Sequence, residues 1–186
     1  MNATSCSFPC KLYFVCKLDN TYIIFSSDHG LAVGHHGLLG KQNQYDHSVR
    51  MPLIINGPGI KAETQSNALV YLQSLYATTC DLAGLEVPQT VDFPSLKGIL
   101  DGKVDRVHDA IFGNYRHFQR MVRTEKYKFI MYPHNGKQQL FNLENDPEEM
   151  INLINDNNYE TAKKELYNRF LSLQKEVGDT LKVFLH

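Results

Sequence analysis

The chain has no tryptophan, only four cysteines in 186 residues, and no surplus of either charge, with 19 Lys and Arg against 20 Asp and Glu. That balance removes the electrostatic footprint of a general nucleic-acid or anionic-membrane binder. No stretch approaches the roughly 20 apolar residues of a membrane helix, so no span is expected. Three cysteines fall in the first sixteen residues (Cys6, Cys10, Cys16) and Cys80 stands alone. Their spacings match no paired zinc knuckle, haem or redox motif, and free thiols in an irregular leader are the reading they support. The leader lacks a positive n-region, and Lys11 interrupts its apolar run, so no clear signal peptide is seen.

What is present suits a globular protein. A hydrophobic fraction of 42% over this length is enough for one core, or one with a small appendage. Thr21 to Ser26 is an uncharged β-branched and aromatic run, the pattern of a strand buried on both faces in a parallel sheet covered by helices. Leu53-Ile54-Ile55, closed by Asn56-Gly57-Pro58-Gly59, is a second buried-strand candidate. Between them, Gln44 to Arg50 is polar and fits a short helix before Pro52. Leu69 to Leu82 has helical apolar spacing with Gly84 as C-cap, and Ser95 to Leu100 reads as a shorter helix stopped by Asp101-Gly102.

The character then changes. Ala110 to Tyr115, Gln119 to Arg123, Tyr127 to Tyr132 and Gln138 to Leu143 are short strand-like runs too close together for parallel crossovers, which predicts an antiparallel sheet. Tyr159 to Val177 is an amphipathic helix with Ala162, Leu166, Phe170, Leu173 and Val177 on one stripe, the natural cover for that sheet.

Chemistry gathers where the first strand ends, in Ser27-Asp28-His29-Gly30, the position where open α/β sheets hold ligands. Adjacent Asp28 and His29 reach one ion only if the strand breaks into a loop there, which Gly30 permits. A carboxylate beside an imidazole suits a divalent cation, with the carboxylate favouring a hard one. Alone, such a triplet reads as a loop with an Asx turn.

The surrounding residues say more. Ser27-Asp28-His29-Gly30, then Gly34-His35-His36-Gly37 and Lys41, resemble the sulfatase family of the alkaline phosphatase superfamily. So do Tyr45-Asp46-His47-Ser48-Val49-Arg50-Met51-Pro52-Leu53-Ile54-Ile55-Asn56-Gly57-Pro58-Gly59, Cys80 to Leu85, and Gln139 to Glu149, in the expected order. The resemblance covers roughly residues 17 to 178. It implies an α/β fold: the C-terminal part of an alkaline-phosphatase-like mixed sheet flanked by helices, then a small antiparallel sheet packed on a C-terminal helix. The domains expected are a leader at 1–16, the catalytic-domain part at 17–105 and the C-terminal subdomain at 106–186.

By the same resemblance Asp28 and His29 are metal ligands, for calcium or magnesium, and Lys41 binds sulfate. Arg50 and Tyr45 brace the loop behind the site. His35, His36 and His47 line the substrate cleft, and Arg116 and His117 contact the alcohol side of the substrate. The ligand implied is a sulfated small molecule or carbohydrate. Family members are often periplasmic, secreted or lysosomal. The oligomeric state is left open.

The family's C-x-P-S-R motif, whose cysteine matures to the formylglycine nucleophile, has no counterpart here, and Cys6-Ser7-Phe8-Pro9-Cys10 lacks its order. The expectation is therefore a truncated sulfatase chain, inactive alone. Two other readings stay open: a phosphonate monoester or phosphodiester hydrolase of the same superfamily, and a non-catalytic remnant that binds sulfated glycans.

Overall fold

A computed structural model describes residues 17–183, so the three leader cysteines lie outside the described residues. The chain divides into two compact units. One comprises residues up to Ser27 together with Pro52–Ser66 and Gln73–Asp105; the other comprises Asp28–Met51, Asn67–Leu72 and Arg106 onward.

In the first unit, strands β1 (Ile23–Ser26) and β2 (Leu53–Asn56) pair with each other, but antiparallel, with Phe25 opposite Ile54. Neither strand is buried on both faces as its apolar run suggests; Phe25 and Ile54 are 60% and 61% exposed. An apolar, β-branched run reports fitness for a pleated strand, not the direction of its partner or the cover on its faces. Helix α2 (Ser74–Leu82) starts five residues later than its apolar spacing indicates, because Asn67–Leu72 belongs to the other unit, where the Tyr71 hydroxyl accepts from Phe112 N–H at 2.6 Å. Its end matches expectation. Gly84 is left-handed (φ +69°), with Leu85 N–H bonded to Cys80 O and Gly84 N–H to Asp81 O. Helix α3 (Lys97–Leu100) closes the same way over Gly102.

The second unit holds a four-stranded antiparallel meander: β3 (Ile111–Tyr115), β4 (Gln119–Arg123), β5 (Tyr127–Tyr132) and β6 (Lys137–Asn142), in that order. Val122, Phe129 and Leu140 sit side by side in the register and face helix α4 (Glu160–Glu176), which adds Leu166 and Phe170 to one core. Each such fully buried side chain contributes roughly 1.5–3 kcal/mol. Val177, expected on the same stripe, is 53% exposed because the helix ends at Glu176. The last buried position is Gln174 instead, whose amide donates to Leu181 O at 2.7 Å. The opposite sheet face is covered as well. Met121, Ile130 and Phe141 pack there on Tyr45, from the segment carrying helix α1 (Asp46–Val49). Both faces of β5 are therefore closed, one by α4 and one by the loop that leads from the Asp28 turn.

Candidate active-site turn and its support

Asp28 and His29 form a tight turn whose geometry depends on Gly30. The Gly30 amide donates to Ser48 O at 2.9 Å, and a β-carbon at Gly30 would overlap the carbonyl oxygen of His47. Glycine is required here for close backbone approach rather than for a left-handed φ. His29 Nδ1 lies 2.8 Å from Gly30 O, so that nitrogen donates and the ring's Nε2 carries a lone pair. Nε2 lies 3.3 Å from Asp28 Oδ2 and accepts from the Lys41 ammonium. The three residues singled out from the sequence, Asp28, His29 and Lys41, are thus brought together.

One carboxylate oxygen and one imidazole lone pair on the same side of a turn fit a divalent cation as two of its ligands. Among the described residues, no group of three or more His, Cys, Asp or Glu adds to them. Asp28 is open to solvent, with a side-chain exposure of 78%.

The loop from Ala32 to Gly40 closes on itself through Ala32 N–H to Gly40 O (3.1 Å) and Gly34 N–H to Leu38 O (2.8 Å). At its tip His36 adopts φ +53° and stacks flat on Tyr45, ring centroids 3.9 Å apart. His36 Nε2 is 3.1 Å from Glu148 O, and His35 Nδ1 is 3.3 Å from the Glu148 carboxylate. The His47 ring lies 5.6–5.8 Å from those of Tyr45, His36 and His35. Burial lowers the His47 pKa, and the neighbouring His36, His35 and Lys128 act in the same direction, so its ring is neutral near pH 7. Tyr45 does brace the loop: it is buried, and its hydroxyl donates to Gln139 Oε1 at 3.1 Å. Arg50 does not share that task. It is exposed, and the bracing comes from groups the sequence did not single out.

Those groups surround Lys128, which is fully buried on the face of β5 turned toward the loop. Its ammonium meets the carboxylate of Asp46, lies 2.6 Å from Glu149 Oε1, and donates to Gln44 O at 3.1 Å. Arg123 adds a bidentate grip on Asp46 at 3.1 and 3.2 Å. Glu149 also accepts from the Asp46 amide at 2.6 Å. Burial works to raise the Asp46 carboxyl, but Lys128 and Arg123 outweigh it and hold it below the usual range. For Glu149 burial wins and the pKa is raised. In the sequence Lys128 is one lysine inside the strand-like run Tyr127 to Tyr132, and nothing in that run names its partners.

Arg116 and His117 sit on the exposed β3–β4 loop. That hairpin is tied to the site segment by Gln119 Nε2, which donates to Gln42 O at 3.2 Å, one residue from Lys41.

Comparison with known proteins gives these features a family. The pattern of N-sulphoglucosamine sulphohydrolase, C-terminal, matches residues 34–176. The chain is 32% identical to an N-acetylglucosamine-6-O-sulfatase of Bacteroides thetaiotaomicron, over 88% of this chain and 32% of that protein. It is 34% identical to human arylsulfatase K, over 73% of this chain and 28% of the relative. It superposes with a TM-score of 0.84 on a solved structure in complex with its substrate D-glucosamine-2-N,6-O-disulfate, at 30% identity over 91% of this chain and 37% of that one. A phosphonate monoester hydrolase of Agrobacterium radiobacter superposes at 0.76, with 29% identity over 89% of this chain and 37% of that one. The fold is that of the alkaline-phosphatase-like sulfatases. The chain belongs to the sulfatase family, matching its C-terminal part, and spans about a third of the length of the curated relatives it matches.

Proposed function

We propose that this chain carries the metal- and sulfate-binding half of a site for sulfuric ester hydrolysis on a sulfated carbohydrate. The observation that carries the reading is the convergence of Asp28, His29 and Lys41 on one turn. Asp28 and His29 would hold calcium or magnesium, which supplies Lewis-acid stabilisation of the sulfate when bound. Lys41 reaches the sulfate oxygens, where negative charge grows as the sulfur–oxygen ester bond breaks. Arg116 and His117 contact the alcohol side, and His36 and His47 shape the cleft from behind through Tyr45. The carbohydrate is supported by the sulfated glucosamine held as substrate by a relative of the same fold. No C-x-P-S-R cysteine occurs in these 186 residues, so the isolated chain binds but does not turn over.

The test has two readouts on the purified chain. Glucosamine 6-sulfate titrated against it should shift the His29 ring resonances, and Lys41→Ala should abolish the shift. Equal affinity in wild type and variant sinks the reading. Release of nitrophenol from 4-nitrophenyl sulfate, lost in Asp28→Ala, overturns the claim of inactivity. The likeness to phosphonate monoester hydrolase favours a second reading, phosphonate or phosphate ester binding at the same turn. Preference for phenylphosphonate over the sulfate in the same titration selects it.

A further inference from the structure

The stretch Gln139 to Glu149 follows the family pattern yet lies outside the Asp28 turn, and its last two residues reach back toward that turn. Glu149 is buried and holds φ +58°, a conformation that costs a non-glycine residue energy. Its surroundings impose it. Asp146 accepts from the amides of Met150 at 3.0 Å and Ile151 at 2.7 Å, which pins the chain on both sides of Glu149. Held in this way, Glu149 turns its carboxylate inward. One oxygen takes the Asp46 amide at 2.6 Å, and the other lies 2.6 Å from Lys128 Nζ. The preceding residue faces the loop tip, with Glu148 O 3.1 Å from His36 Nε2.

Asp46 is the first residue of helix α1, a single turn about 6 Å long. Further along that turn are the Ser48 carbonyl, which takes the Gly30 amide, and the His47 carbonyl, on which Gly30 rests. A helix this short, gripped at its start, passes its position on to whatever is seated against its end. His29 adjoins Gly30 and meets Lys41, so a displaced α1 displaces that meeting.

The geometry points to Glu149 as a positioning residue for the sulfate turn: through the Asp46 amide, α1 and Gly30 it sets where His29 stands against Lys41. The inference rests on the sulfate-binding reading of Lys41. What serves the turn is the oxygen offered to the Asp46 amide; the negative charge of the same side chain serves Lys128.

The experiment uses the purified full chain with glucosamine 6-sulfate as probe, at a temperature where circular dichroism shows each variant folded. Calorimetry gives the probe affinity, and the His29 ring resonances are recorded without probe. Glu149→Ala removes the acceptor; it should weaken the probe about 2- to 10-fold, the range for losing the ordering of one contact group, and should move the His29 resonances. Glu149→Gln still offers an oxygen to the Asp46 amide and should keep both near their wild-type values. Leu173→Ala, on the other face of the sheet, should lower the melting temperature and change neither. If Glu149→Ala behaves like Leu173→Ala, less stable but with unchanged affinity and resonances, the assignment is overturned. A Glu149→Gln variant as impaired as Glu149→Ala overturns it too. Should Glu149→Ala not fold, Glu149→Asp, one methylene shorter, takes its place and must show the same loss and shift. If Lys41→Ala leaves probe binding unchanged, the sulfate reading fails. The His29 resonances in Glu149→Ala then decide the positioning alone, moved for it and unmoved against it.

Discussion

The α-carbon of Gly30 rests against the backbone carbonyl of His47, with no room between them for a methyl group. The turn that presents Asp28 and His29 is thus fitted to helix α1 by backbone contact, further fixed by Gly30 N–H to Ser48 O. Gly30→Ala should cost about 1–3 kcal/mol, the range for overpacking a closed site. It should also displace the His29 ring. Thermal unfolding measures the first effect and the His29 ring chemical shift the second; a variant of native stability and native shift contradicts the contact.

Lys128 is the charge that reconciles Asp46 with Glu149 inside the sheet–loop interface. Lys128→Met should destabilise by about 3–5 kcal/mol, the usual cost of stranding a buried partner charge. Adding Glu149→Gln should recover part of that loss, because the stranded carboxylate is then gone. Urea unfolding of the two single variants and the double closes the cycle. Strict additivity would show that the two residues do not interact.

The same cluster sets opposing acid responses. Asp46 is held below its usual value of 3.8, so the unfolded chain takes up its proton first as pH falls. Its stabilising contribution is present above that value and is lost as pH drops through the lower folded one. Glu149, raised above 4.5, has the opposite sign: stability falls as pH rises from its ordinary value through its raised one. Asp46→Asn should therefore flatten the limb below about pH 4, and Glu149→Gln should remove the decline above about pH 4.5. Stability measured at stepped pH decides both, and a wild-type acid slope in Asp46→Asn refutes the assignment.

Calcium should bind this chain only weakly, roughly millimolar or weaker, because two side chains supply a small part of the six to eight ligands it takes. Lys41→Ala should tighten that binding about fivefold. An ammonium beside the His29 nitrogen opposes an incoming cation by about 1 kcal/mol even at the dielectric of water. Calorimetric titration of calcium into wild type, Lys41→Ala and Asp28→Ala gives the comparison, and looser binding in Lys41→Ala would reverse the proposed relation.

The antiparallel sheet and helix α4 are legible because they rest on local signals: short strand-like runs at close spacing, then one apolar stripe at helical spacing. Asp28, His29 and Lys41 were legible through their ordered neighbours. What the sequence hid is long-range. Nothing near Lys128 marks it as buried, since its partners lie 82 residues before it and 21 residues after it in sequence. The antiparallel pairing of β1 with β2 was hidden for a related reason, because strand direction belongs to the partner and not to the run itself. Phe118 and His134 are far apart in sequence, and only the sheet register brings their loops together.

One consequence of the Glu149 anchor concerns synthesis. The Asp46 amide is secured by a carboxylate 103 residues further along the chain. At the ribosome's pace of ~5–20 residues per second, the segment bearing the turn waits on the order of 5–20 seconds for its anchor to be made. Until then it is a nascent polymer without its sheet, and a chaperone's recognition of it would have to come in that interval.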